Sequence, residues 1–489
     1  MTPAAASPQK RSPELARKLS WIGVLYFASG FPFGIAYDVW PVSFREHGTS
    51  LQDIGLMALL FLPYTLKAAW APFADRWGSR QGWIVTCLLG LAASLLVLSR
   101  LDPTLLAGGP ATSGYWLMWG VLISITLFSA TQDISADAYA VDVSKPEETG
   151  HVNGVRTAAY RAALLFASFV LLAIADSPAF GWSGAWLVSI ALCPLLAVAV
   201  WASPRIPRER AGSGPKLPAS QGLVMFRVAT LLAATTLLSI AYSKGWPGLW
   251  TTLGALAGAV ALVSFLSPEM LGWLSRRDML PVVAFALFFK LGDSMLGRMV
   301  KPYWVDVGMT KTEIAAVSNG LGMALTIAGA LLGGWFIARR GIFQGLLWLG
   351  SIQLLSNFGY VAVAALDLPR GDASLWNLSW GPLQAALYGA SAVESLAQGL
   401  GTAAFMSFLM NQCDRAHAAT QYAMLTAAFS LTRDLAGAVS GFGAQAWGYP
   451  SYFAFTALLA VPGMLLIPRL RARIREREGP TPAMAVGES

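Results

Sequence analysis

The sequence predicts an all-α polytopic membrane protein, and three observations lead there. Of 489 residues 55% are apolar and 12% charged, with a mean hydropathy of +0.55, whereas a soluble domain carries about twice that share of charge. Apolar runs of about 20 residues, long enough to cross ~30 Å of hydrocarbon, recur along the chain. Glycine (48) and tryptophan (19) are abundant, the first common in membrane helices and the second at membrane interfaces. A soluble multidomain enzyme fits these figures poorly. Cys87, Cys193 and Cys413 lie in or beside apolar stretches and form no disulfide framework. The net charge of +8 resides in short basic runs between apolar spans, which argues against nucleic acid as a partner.

Spans are expected near 20–43, 54–73, 82–99, 115–140, 157–176 and 184–203, then near 281–301, 313–337, 343–366, 382–410, 419–441 and 451–468. An inserted pair is expected at 224–242 and 247–267. This divides the chain into a tail 1–19, a six-helix bundle 20–203, a basic linker 204–280 with the extra pair, a second six-helix bundle 281–468 and a tail 469–489. Short loops on the cytoplasmic side of a membrane collect Lys and Arg. With both termini inside, only Arg45, Arg100, Lys244, Lys301, Lys311 and Arg370 fall outside, while the other loop cations, such as Arg76, Arg80, Arg339, Arg340 and the run Arg469–Arg477, fall inside. The first span is too long for a cleaved signal peptide and reads as a signal anchor.

The two six-span groups repeat weakly at an offset of about 260 residues. Pro41…Gly48-Thr-Ser-Leu-Gln-Asp53-Ile54 aligns with Pro302…Gly308-Met-Thr-Lys-Thr-Glu313-Ile314. Ala71-Pro-Phe-Ala-Asp75-Arg76-Trp-Gly78-Ser-Arg80 is similar to Gly334-Trp-Phe-Ile-Ala-Arg339-Arg340-Gly341. Parallel halves of this kind mark major facilitator transporters, whose ligand site lies between the halves near the midplane. The stretch Asp75-Arg76-Trp-Gly78-Ser-Arg80 resembles the loop motif of that superfamily. The resemblance implies a gating role in which Asp75 accepts from helix ends and Arg76 and Arg80 pair with acids. The fold expected is therefore two pseudo-symmetric six-helix bundles plus an inserted pair.

A charge at the centre of a membrane helix costs about 2.5–3.5 kcal/mol on insertion scales. Asp38, Lys67, Asp133, Asp137, Arg161, Lys290, Asp293, Arg298, Glu394, Arg433 and Asp434 all fall in apolar runs. Facing lipid they would together cost roughly 30 kcal/mol, above the ~5–15 kcal/mol by which proteins are stable. They must face one another or a wet cavity. Arg298 and Asp434, near the outer ends of their spans, read as a structural pair, and Asp38 lies close to the mouth. Asp133 and Asp137, four apart on span four, share a helix face. Arg161 on span five is expected opposite one of them, leaving the other acid free for a proton. Lys67 joins the same basin. Lys290 and Asp293 lie three apart on span seven, and Glu394 on span ten has no basic neighbour in sequence. An unpaired buried carboxyl is a candidate proton carrier, so Glu394, Asp133 and Asp137 are the expected coupling residues.

Several blocks carry a closer likeness. Phe27-Ala-Ser-Gly-Phe-Pro32, Lys67-Ala-Ala-Trp70-Ala-Pro72, Ser129-Ala-Thr-Gln132-Asp133-Ile134-Ser-Ala-Asp137-Ala-Tyr139, Lys290-Leu-Gly-Asp293, Glu394-Ser-Leu-Ala-Gln-Gly399-Leu-Gly401-Thr402-Ala403-Ala404-Phe405 and Ala419-Thr420-Gln421-Tyr422 resemble AmpG-type muropeptide permeases. The resemblance implies a proton-driven importer of anhydro-muropeptides in the bacterial inner membrane, acting in cell-wall recycling. It implies that Lys67, Gln132, Asp133, Asp137, Arg161, Lys290, Asp293, Glu394 and Arg433 line the pathway. Cations there suit the ligand's carboxylates. Related transporters carry siderophores or acetyl-CoA, and drug export is a further alternative. No phosphate loop or zinc-protease motif points to an enzyme, and His47, His151 and His417 all fall in expected loops. No cofactor or metal is expected beyond the proton gradient. The expected partners are a small-molecule substrate and membrane lipid, with the protein a monomer.

Overall fold

The computed structural model describes residues 13–67, 70–71, 74, 78–144, 148–204, 279–371, 373–375, 378–413 and 418–478. Eight helical stretches among them are long and apolar enough to cross a membrane. Two of these double back, at Gly341 (φ 80) and Gly448 (φ 74). A Cβ on Gly345 would press on Ile337 at 2.8 Å, and one on Gly443 would press on Tyr452, contacts that a straight helix could not make. With the shorter helix from 51 to 66 and the helix Pro382–Asn411, twelve passes result. The first half holds spans at 13–46, 51–66, Arg80–Arg100, Ser113–Val143, 149–176 and Gly181–Trp201; the second holds Leu280–Asp306, 311–340, 342–365, Pro382–Asn411, 418–447 and 449–478.

These bounds follow the hydropathy reading closely, with four departures. The first helix begins at Pro13, inside the expected tail 1–19. The fifth span begins at 149 rather than 157, because the polar stretch from Thr149 to Arg156 is helical too. The tail expected from 469 continues the twelfth helix to Glu478, anchored where Arg473 Nε donates to Gln412 Oε1 at 2.8 Å. A two-stranded hairpin, Ala373–Leu375 with Leu378–Trp380, stands between the ninth and tenth spans. The expected extra pair at 224–242 and 247–267 and the linker from 205 lie outside the described residues. The sixth span presents Leu187, Leu195 and Val198 outward, and the eighth and ninth present Leu331 and Leu355. Apolar surface of this kind is what lipid covers.

The repeat seen in sequence is a repeat in space. Gly48 and Gly308 take the same left-handed turn (φ +82 and +79) between the first two spans of each half. Ser50 and Thr310 then cap the next helix, each accepting from the backbone N–H three residues on at 3.1 Å. The acids there, Asp53 and Glu313, receive a tyrosine hydroxyl from the fourth span of their own half: Tyr115 at 2.6 Å and Tyr388 at 2.9 Å.

With an even number of passes, the described chain ends on one face; the opposite face is called distal below. The fourth, fifth-span proximal and tenth helices pack against spans of their own half. Across the halves, distal parts meet: the second span on the eleventh, the first on the seventh, and the fifth on the eighth. Gly441 lies so close to the Leu51 carbonyl, and Gly55 to the Gly441 backbone, that neither has room for a side chain. Three π-helical turns, Ile35–Val39, Phe166–Val170 and Ile314–Leu321, lie along this seam; such turns concentrate at functional positions.

Candidate functional site

The charges of the membrane interior fall into three groups. In the first half, the fourth span lays Asp133 and Asp137 one turn apart. Lys67, at the end of the second span, bonds Asp133 and reaches Asp137 Oδ2 at 3.0 Å. Arg156 Nη2 donates to Asp137 Oδ1 at 2.6 Å, and its guanidinium sits 4.5 Å from the centre of the Tyr26 ring. The Tyr26 hydroxyl donates to the same Asp137 oxygen at 2.6 Å. This corrects two expectations. Arg161 does not meet the pair; it is exposed and has no bonded partner among the described residues. The fourth span runs towards the proximal face and the fifth away from it, so Arg156 lies about 7.5 Å nearer that face than Arg161, at the depth of Asp137. Nor is Asp137 left free, since three donors hold it.

In the second half, Lys290 Nζ donates to Asp293 Oδ2 at 3.2 Å and to Thr402 Oγ1 at 3.1 Å. Asp293 also accepts from Gln353, and from Asn357 Nδ2 at 2.9 Å. The glycine-rich block of the tenth span makes this arrangement feasible. Gly399 admits the Thr326 carbonyl of the eighth span, and Gly401 leaves the space that the Gln353 amide fills. Glu394, two turns away on the same helix, is half-buried and has no hydrogen bond or ion pair among the described residues. Lys290 and Asp293 are near enough for their charges to act on it.

The third group forms the seam between the halves. Asp38 of the first span pairs with Lys301 of the seventh. Arg298, one turn earlier, extends its guanidinium over the rings of Tyr37 (4.9 Å) and Phe61 (4.8 Å) in the other half. Asp434 is fully buried; it lies 3.9 Å from Arg298 Nη2 and 3.2 Å from Arg433 Nη2, and accepts from Thr65 Oγ1 across the seam at 3.1 Å. Arg298 and Asp434 do pair, but as part of a junction between bundles rather than a lock within one. Nearer the distal face Arg45 grips Asp306 at 2.5 and 2.6 Å. Lys311 meets Glu46 at 2.6 Å, and Thr312 Oγ1 donates to Asp176 at 2.5 Å.

Four expected site residues stand apart. Gln132 is fully buried, and both of its amide atoms lack a hydrogen-bond partner among the described residues. Arg80 pairs with Asp142 at 3.4 Å within its own half. Asp75 and Arg76 lie outside the described residues. Sequence reasoning missed Tyr26, Thr65, Arg156 and Lys301. Arg156 falls between the expected spans 115–140 and 157–176 and Lys301 at the end of 281–301, so both read as loop cations, and only their depth in extended helices reveals their acids. Gln353 and Asn357, four apart on an apolar span, were a readable signal that went unused. Among the described residues no group of three or more His, Cys, Asp or Glu could hold a metal ion.

Comparison with known proteins agrees with this geometry. Residues 22–378 match the Major Facilitator Superfamily. The anhydromuropeptide permease of Escherichia coli K12 is 27% identical over 453 residues, covering 91% of this chain and 78% of that protein. Putative transporter AmpG 4 of Rickettsia conorii is 25% identical over 465 residues, covering 94% and 97%. These relatives bear out the likeness to AmpG-type permeases. Among solved structures, a peptide transporter POT in complex with sulfate shares the fold with a TM-score of 0.65 at 14% identity, covering 94% of this chain and 95% of that one. A bacterial homologue of the lysosomal transporter Spinster, in an inward-facing conformation, scores 0.57 at 15% identity, covering 95% and 96%. The chain is an integral membrane protein and belongs to the major facilitator superfamily of transporters.

Proposed function

We propose that the protein imports anhydro-muropeptides across the bacterial inner membrane by proton-driven alternating access, with both termini in the cytoplasm. The distal seam then faces outward and is shut, which corresponds to the state that releases ligand inside. Glu394 carries the coupling part of the reading: it is a carboxyl group at mid-helix with no bonded partner among the described residues, in the half opposite the Lys67–Arg156 cluster. Such a group can exchange a proton without first breaking an ion pair. The ligand part rests on the relatives, one of which is named as an anhydromuropeptide permease. Peptide carboxylates suit the cations Lys67, Arg161 and Arg433 through charge-assisted hydrogen bonds, while Lys290 stays bonded to Asp293 and Thr402. Gln132, Asp133, Asp137 and Asp293 hold or orient those cations and helices, and the loop Asp75, Arg76 and Arg80 gates the cytoplasmic side.

Proteoliposomes loaded with a proton gradient and labelled anhydro-muropeptide test both parts. One inward positive charge gains about 2.3 kcal/mol per 100 mV, about fiftyfold in accumulation. Glu394→Gln is expected to keep ligand exchange and lose that accumulation. Undiminished accumulation removes Glu394 from coupling, and preferential uptake of a ferric siderophore or a lipophilic cation replaces the ligand assignment.

A further inference from the structure

The seam contains a feature that packing alone does not require. In the first half, Asp38 and the Tyr37 ring meet the same cation, and the Phe61 ring stands edge to face with Tyr37 at 5.8 Å. Two cations of the other half occupy this corner. Lys301 pairs with Asp38 and stands 5.3 Å from the centre of the Tyr37 ring. The Arg298 guanidinium lies over both rings, and its Nη2 is buried with no hydrogen-bond partner. A carboxylate flanked by aromatic faces is a receptor for an organic cation. Here it is filled by the protein's own side chains.

Alternating access cannot leave it filled. Lys301 and Arg298 belong to one bundle and the corner to the other, so parting the seam withdraws both cations and empties the corner towards the distal side. Asp38 lies seven residues deeper than Arg45, about 10 Å along the helix. The emptied corner therefore sits at the bottom of the opened vestibule. Lys301, now released, lines the facing wall, with Arg298 beside it still paired to Asp434 of its own half.

We propose that Asp38, Tyr37 and Phe61 form a receptor for an ammonium group of the incoming ligand, held by Lys301 and Arg298 whenever the seam is closed. Lys301 on the opposite wall then takes a carboxylate of the same ligand. The ligand class is zwitterionic: an amine and a carboxylate on one molecule, such as a peptide bearing a free amino group. The bound ammonium competes with Lys301 for Asp38 and keeps the seam apart until it moves inward. This inference rests on the transport reading above and adds the ammonium requirement to it.

Two measurements separate the two. In proteoliposomes, anhydro-muropeptide with a free side-chain amine is compared with the same ligand N-acetylated. The wild type is expected to favour the free amine about tenfold, as one lost hydrogen bond to a charged group would give; Asp38→Asn should take up both alike. Equal uptake by the wild type, or undiminished preference in Asp38→Asn, overturns the receptor. Asp38→Glu, which keeps the charge, should retain preference and guards against a folding defect. The second measurement needs no cargo. Spin labels on Ala107→Cys and Leu366→Cys, in exposed distal loops of opposite halves, report seam opening. Tetramethylammonium chloride should shift the distances towards the open population relative to sodium chloride at equal ionic strength. That shift should vanish in Tyr37→Ala. An absent shift in the wild type sinks the receptor even where uptake succeeds; a clear shift without any muropeptide uptake sinks only the muropeptide reading.

Discussion

Each half buries an acid beside a lysine, yet the two surroundings differ. In the first half Asp133 and Asp137 are met by Lys67 and Arg156, and the four side chains are 18–37% exposed. In the second half Lys290 and Asp293 are 6% and 8% exposed. There the remaining capacity of the carboxylate is satisfied by two neutral amides and that of the ammonium by a hydroxyl. A buried ion pair is stable only when such hydrogen bonds complete it. The first cluster is partly exposed and matches two acids with two cations, so water can replace its bonds. The second is a fixed strut, whose rigidity keeps Glu394 near two charges without bonding either. The exposed ion-paired cluster and the unpaired carboxyl group thus lie in different bundles.

The contrast is broken most directly at Lys290. Lys290→Met leaves a buried carboxylate without its cation, which costs about 3–5 kcal/mol. Thermal melting in detergent should show a large drop, and Lys290→Met combined with Asp293→Asn should recover most of it. Wild-type melting of the single variant would mean that the strut is solvated after all. Gly401→Ala comes next. The new methyl displaces Gln353 from Asp293, which should cost about 1–3 kcal/mol for a donor lost from a buried charge. Gly401→Ala with Gln353→Ala removes the clash but not the missing donor, so a full recovery of melting would show that the amide contributes only bulk.

Lys67→Met sharpens the other side. Asp137 keeps Arg156 and Tyr26, but Asp133, 18% exposed, loses its bonded cation, so melting should fall by about 1–2 kcal/mol, less than for Lys290→Met. If Lys67 meets the ligand as proposed, uptake should nonetheless fall at least about tenfold. A melting loss as large as that of Lys290→Met would erase the distinction between the halves.

Much of this was legible in the residues. Hydropathy placed the spans because only closed hydrogen-bonding helices survive in lipid. The Gly48/Gly308 and Asp53/Glu313 pairs revealed the symmetry because turn and cap need specific residues. Lys290 and Asp293 were readable as neighbours, being one helical turn apart. What could not be read was pairing between helices. Arg156 was assigned to a loop because charge was taken to end a span, whereas Asp137 and Tyr26 keep the helix polar and continuous there. Lys301 was misplaced for the same reason, its acid lying in the other bundle. Rotation and depth of helices against each other decide such partners, and hydropathy carries neither.

The smallest expected change in stability is at Arg161, and it decides where the first half meets its ligand. Arg161 is exposed and has no bonded partner among the described residues, so Arg161→Ala should alter melting by no more than ~0.5 kcal/mol. Arg156→Ala removes a 2.6 Å bond to Asp137 and should cost up to ~1 kcal/mol, as partly exposed pairs do. Uptake should reverse that order. A cation without a counterion is available to a carboxylate ligand at once, whereas Arg156 must first leave Asp137. Arg161→Ala is therefore expected to raise the KM for uptake about tenfold with little change in maximal rate, and Arg156→Ala to affect mainly the maximal rate. The same kinetic pattern from both variants would mean that the two arginines act as one unit, and that Arg161 joins the Asp133–Asp137 cluster when ligand is bound.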